Sequence, residues 1–136
     1  MTPLLFSFLA LINAQALNLQ EQAKNLPPQA PIIAEVERSI TKWIYLLGDC
    51  ESGNNEKALN PKDTDGTASK GKYQFKDTTF AWLSKKYNIK TTSIWNGDEQ
   101  ESILRRMIDD KDIDLTKQFP SCVKKIGLPP THPDGS

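Results

Sequence analysis

From residue 32 onward, apolar side chains recur at steps of three and four: Ile32, Ile33, Val36, Ile40, Trp43, Ile44 and Leu47, with Glu35, Glu37, Arg38 and Lys42 on the other side. That period matches one buried face of an α-helix, so the spacing predicts an amphipathic helix over 32–47, stopped by Gly48. The last two turns are apolar on several sides, through Trp43, Ile44, Tyr45, Leu46 and Leu47, which places them at the centre of the core. There the pattern lapses. Residues 52–72 carry few large apolar groups and many glycines, asparagines and aspartates, which favour turns. An irregular loop is expected, with a short hairpin around Asp65-Gly66.

Helical spacing returns with Phe80, Trp82, Leu83 and Tyr87, behind Asp77 as the expected N-cap. A connection over 91–94 leads to Trp95-Asn96-Gly97 and a third helix from about Asp98, marked by Ile103, Leu104, Met107 and Ile108. Asp114 is placed to cap a fourth helix carrying Leu115, Phe119, Cys122, Val123 and Ile126. Pro120 is expected to kink or break it and Gly127 to end it. Residues 128–136, rich in proline and glycine, read as a flexible tail in which His132 has no partner. Trp43, Phe80, Trp82 and Phe119 read as core, while Trp95, after a connection and before a polar turn, suits a core position and a ligand-facing one equally.

At the start of the chain, an apolar run over 3–12 precedes Ala14-Gln15-Ala16. The run has the length of a signal-peptide h-region and is too short to span a bilayer, and Ala-x-Ala fits a signal-peptidase site, although no basic residue precedes it. The expected organisation is a signal peptide over 1–16, a polar, proline-bearing linker over 17–31, and one domain over 32–127. The fold class expected is mainly α, a small helical domain with a turn-rich loop or short β-hairpin lobe.

Charge and cysteines narrow the classes. Lys+Arg and Asp+Glu both number 17, so nothing in the composition argues for a nucleic-acid partner. Nor does the chain have the strong basic charge that suits a freely diffusing enzyme acting on an anionic polymer. Cys50 and Cys122 are the only cysteines. In a reducing compartment they would be buried thiols; in an exported protein, a disulfide closing about 70 residues and worth roughly 4 kcal/mol in the chain-entropy model. Too few for a zinc site with the single His132, and lacking a C-x-x-C pair, they make a thiol-redox role the weakest of the readings.

The chemistry is concentrated in residues 50–75, CESGNNEKALNPKDTDGTASKGKYQF. Glu51 directly follows the apolar helix end, where a semi-buried carboxyl can stay protonated at neutral pH and act as a proton donor. Glu56, Asp63 and Asp65 stand among polar neighbours and are expected to remain ionised. Asp63 and Asp65 also resemble the start of a calcium loop, but Ala68 and Lys70 follow and Gln74 occupies the position where the closing glutamate is needed. No metal or other cofactor is expected.

In order, the E-S-G-x-N start at Glu51, the N-P-x-D-x-D-G-T segment at Asn60 and the S-x-G-x-x-Q-F close at Ser69 resemble the motif of the lysozyme-like superfamily, in its lytic transglycosylase (SLT) and goose-type lysozyme group. Cys50 immediately before Glu51 is similar to the resuscitation-promoting-factor-type domains of that group. The likeness covers about residues 43–107. It implies an α+β lysozyme-like fold in which the small lobe flanks an active-site cleft. It also implies Glu51 as general acid/base, and Ser52, Ser69, Tyr73, Gln74 and Trp95 as saccharide-contacting or cleft-shaping residues. Two departures stand out: Tyr73 occupies a position that is often aliphatic, and no residue matches the downstream tyrosine of many transglycosylases, Tyr87 being the nearest candidate.

The resemblance implies a secreted or cell-envelope monomer acting on peptidoglycan glycan strands at the MurNAc-GlcNAc β-1,4 bond, with membrane contact only if the leader is retained. Its mechanism turns on a second carboxylate. If Asp63 or Asp65 positions a water, the enzyme is a hydrolytic muramidase, with inversion expected and carboxyls roughly 6.5–9.5 Å apart. If neither does, Glu51 acts alone as acid and then base with help from the N-acetyl group, releasing an anhydro sugar. The reading from another class is a catalytically silent glycan-binding domain.

Overall fold

The computed structural model describes residues 30–63 and 65–133. The expected signal peptide, and the expected linker up to residue 29, lie outside them. Two units divide the chain, Met1–Ala34 and Glu35–Ser136, and the core lies in the second. The described residues are mainly helical with one small antiparallel sheet, as the apolar periodicity predicts. No helix among them is long and apolar enough to cross a membrane.

Helix α1 spans Ala30–Ser52 and buries Ile40, Trp43, Ile44, Leu47 and Gly48. It starts inside the expected linker, because Pro31 is tolerated in a first turn, where its missing N–H has no helical partner to lose. It also runs past the expected stop. Gly48 lies in the helix where a β-carbon would strike Asn54 Oδ1 and meet Tyr73 Cε1 at 3.0 Å, so its role is close approach rather than termination. The helix ends at Gly53 and Asn54, both with positive φ (66° and 58°), whose N–H groups close on Asp49 and Gly48 oxygens at 2.9 and 3.0 Å. Glu51 therefore sits in the last helical turn, not beyond it.

Strands β1 (Leu59–Asn60) and β2 (Ser69–Lys70) pair antiparallel, Leu59 with Lys70 and Asn60 with Ser69, so the expected hairpin brackets Asp65-Gly66. Beyond β2 the backbone turns back through Gly71 (φ 82°) and Gln74 (φ 56°), and Phe75 bridges to Lys70.

Helix α2 spans Asp77–Lys86. Its cap position is Lys76, one residue before the expected Asp77, whose carboxylate instead binds Lys70 Nζ at 2.8 Å. Phe80, Leu83, Ser84 and Tyr87 form its inward stripe, which leaves Trp82 outside at 51% exposure rather than in the core. Helix α3 spans Gly97–Ile108, and the Asn96 side chain accepts from the N–H groups of Asp98 and Glu99. It buries Ile103, Leu104, Met107 and Ile108, and with them the polar Gln100.

Asp114 caps α4 (Leu115–Gln118) through a bond from Thr116 N–H. Pro120 breaks the expected fourth helix, and α5 (Pro120–Ile126) restarts with proline in its first turn and ends at Gly127 (φ 82°). Two links join α1 to α5: the Cys50–Cys122 disulfide, with Cα atoms 5.8 Å apart, and a bond from Trp43 Nε1–H to Gly127 O at 2.8 Å. Phe75 packs edge-on against Phe80 and Phe119, with centroids 6.2 and 6.1 Å away, and so connects the small sheet to the helices.

One expectation for the tail is overturned. His132 has two partners: Nδ1 lies 2.8 Å from Asp109 Oδ2, and Nε2 is bonded to Glu37. These contacts join residues 23 and 95 apart in sequence, so no local pattern announces them.

Candidate active site

The end of α1, the β1–β2 loop, the turn after β2 and the stretch from α4 into α5 surround a cavity of about 270 Å³. Glu51, Asp63, Asp65 and Gln74 line it, together with Phe75, Lys76, Thr79 and residues 117–121. Four of the residues expected at the site thus come together.

Glu51 is half-buried. Burial, and second the charge of Asp63, push its carboxyl up from the usual 4.5 to about 7. Desolvation penalises the carboxylate, so a protonated acid persists at neutral pH, the condition for donating a proton to a leaving oxygen.

The two aspartates are held differently. Asp63 Oδ2 accepts from Ser69 Oγ at 2.6 Å and lies 3.7 Å from Lys76 Nζ. Asp65 Oδ1 accepts from Lys76 Nζ at 2.6 Å, from Thr67 Oγ1 at 2.7 Å and from Thr67 N–H at 3.0 Å, which hold its carboxyl well below the usual carboxylate range. The cavity therefore contains a proton-holding acid together with carboxylates matched to a lysine. That division of environments is how one site separates acid and base roles.

Gln74 Nε2 donates to Gly71 O at 2.9 Å and Ala58 O at 3.2 Å, fixing the side chain by its nitrogen and sparing its oxygen for a ligand. Ser52 does not line the cavity. Its hydroxyl donates to Lys72 O at 2.6 Å and accepts from Asn55 N–H at 3.0 Å, tying the end of α1 to the turn after β2. Ser69 is buried and acts through its bond to Asp63. Tyr73 is fully buried, which removes it from saccharide contact; its hydroxyl donates to Glu101 Oε1 at 3.3 Å, and burial raises its pKa. Trp95 lies outside the cavity walls, 37% exposed, with Lys70 Nζ 5.9 Å from its ring centroid. Tyr87 donates to Asp110 Oδ2 at 2.6 Å and is likewise not a cavity residue.

The sequence reasoning missed Lys76, Lys117 and Gln100. Lys76 follows the Gln74-Phe75 close directly, but only the folded loop shows it reaching Asp63 and Asp65. Gln100 did carry a signal, a polar residue on the inward stripe with Ile103, Leu104 and Met107. Its Oε1 accepts from Tyr73 N–H at 2.9 Å, and its Nε2 donates to Ile94 O at 2.6 Å and Lys70 O at 2.9 Å. Those bonds set the turn that carries Gln74. Comparison with known proteins finds no matching family model, no matching curated protein and no matching solved structure.

Proposed function

We propose that this protein cleaves the MurNAc-GlcNAc β-1,4 bond of peptidoglycan with Glu51 as general acid/base. The observation that carries the reading is the half-buried Glu51 carboxyl, held at about 7 at the edge of a cavity it shares with Gln74 and two aspartates. The motif order over residues 50–75 supplies the substrate class. In the first step the Glu51 proton passes to the leaving glycosidic oxygen, the bond from that oxygen to the muramyl C1 breaks, and the acetamido oxygen shares the positive charge at C1. The sugar's own 6-hydroxyl then attacks C1 and returns its proton to the Glu51 carboxylate, leaving a 1,6-anhydro end.

This lytic transglycosylase route is favoured because Asp63 and Asp65 already accept bonds from Ser69, Lys76 and Thr67. A hydrolytic muramidase is the second reading, favoured by Asp63 being near enough for its charge to raise the Glu51 pKa. In that case a water held by Asp63 replaces the 6-hydroxyl. The Cys50–Cys122 bond suits an oxidising compartment, and we place the protein outside the cytoplasm, at the cell envelope or beyond it.

Mass spectrometry of the soluble products from purified peptidoglycan separates the outcomes. Anhydro-muramyl ends are expected, and reducing ends would instead assign hydrolysis. A protein that binds the polymer and releases nothing would leave a glycan-binding domain.

A further inference from the structure

Two lysines, Lys76 and Lys117, line the cavity with Glu51. Their circumstances differ. Lys76 is matched by Asp65 at 2.6 Å and Asp63 at 3.7 Å. Lys117, on the short helix α4, is exposed, and its ammonium has no hydrogen bond or ion pair among the described residues; its backbone N–H donates to Asp114 O at 3.0 Å. Neither cation is among the causes that set the Glu51 pKa, which are burial and Asp63. An ammonium close to Glu51 would stabilise its carboxylate and spoil it as a proton donor. Lys117 thus offers the cavity an unmatched positive charge without weakening the acid.

We propose that Lys117 is a specificity-determining residue that receives a carboxylate carried on the peptide substituent of the glycan strand. The inference rests on the peptidoglycan reading and names which part of that polymer the site distinguishes. An ammonium presented singly on a flexible stem suits a carboxylate whose position varies with the bound sugar, because it needs no fixed bidentate geometry. The other lining lysine supplies no such charge, since Asp63 and Asp65 take up Lys76. A neutral strand would leave Lys117 in water and forgo the ion pair.

The test compares KM and kcat on two forms of one peptidoglycan preparation, with stem carboxylates free and with the same carboxylates amidated chemically. Wild type, Lys117→Gln and Lys117→Arg are assayed on both. Wild type is expected to show a KM about five- to tenfold lower on the free-carboxylate strands, as for one charge-assisted hydrogen bond. That preference should be lost in Lys117→Gln, retained in Lys117→Arg, and reduced at high ionic strength, with kcat moving less than KM. Wild type cleaving both polymers with equal KM overturns the inference and leaves the peptidoglycan reading standing, as does a Lys117→Gln protein that keeps the preference. A wild-type protein that cleaves neither polymer overturns both.

Discussion

Gln100 Nε2 lies 2.5 Å from the point where a β-carbon on Gly71 would stand, and Gly71 itself has φ 82°. Glycine is thus required twice at this position, for its left-handed backbone and for the amide packed against it. Gly71→Ala is expected to destabilise the fold by on the order of 2 kcal/mol, through strain and displacement of Gln100. Gln100→Ala should cost at least as much, because Tyr73 N–H and the Ile94 carbonyl lose their partner, at about 1–3 kcal/mol for each group left unsatisfied, while the Lys70 carbonyl keeps its bond from Phe75 N–H. Urea midpoints check both, and a Gly71→Ala protein as stable as wild type would contradict this account of the turn.

Much of this architecture was legible in the sequence. The periodicity of Ile40, Trp43, Ile44 and Leu47 marked the buried face of α1, and Asp114, Pro120 and Gly127 marked the cap, break and end that the last helices show. The failures were contextual. Gly48 reads as a helix stop until Asn54 and Tyr73 are seen packed on it. Trp82 reads as core because aromatic residues favour burial, yet the stripe through Phe80, Leu83 and Tyr87 turns it outward. At the site, the turn-rich loop with its carboxylates was visible, but which hydroxyl or ammonium each one meets depends on the folded loop. The pairing of Asp63 with Ser69 and Lys76 could not be read from spacing.

The disulfide closes most of the domain, with Cys50 and Cys122 standing 72 positions apart in sequence. Replacing both by serine is expected to lower stability by about 4 kcal/mol, a large share of a small domain's total. Thermal melts with and without reductant check this. Wild type should become reductant-sensitive while the double variant does not, and a wild-type melt indifferent to complete reduction would contradict it.

His132 should make stability pH-dependent. Its bonds to Glu37 and Asp109 raise its pKa above the usual 6.5; Arg105, 3.7 Å from Glu37, is the other charge at this cluster. A raised folded-state pKa means the contribution is fully present below the unfolded value and is lost as pH rises through the folded one. The melting temperature of wild type should therefore fall as pH rises above about 6.5 and through the raised folded-state pKa, and this component should be absent in His132→Ala. Parallel melts over pH 5.5–9 give the comparison, and superimposable profiles for the two proteins would count against the pairing.

Asp63 should be visible in the pH–rate profile. With the Glu51 carboxyl at about 7, kcat/KM is expected to decline above that pH as the acid loses its proton. Asp63→Asn removes a negative charge that raises this pKa, so the declining limb should move to lower pH. A limb that stays put would mean that burial alone sets the acid.

The central claim is that Glu51 supplies the proton. The direct measurement is the rate of release of soluble muropeptides from purified peptidoglycan by wild type and by Glu51→Gln, with melting temperatures taken on the same preparations. Glutamine keeps the shape of the side chain but has no acidic proton, so the variant should melt near the wild type and release at least a hundredfold less, the order of an acid–base contribution. A folded Glu51→Gln protein that releases product at the wild-type rate would contradict the account.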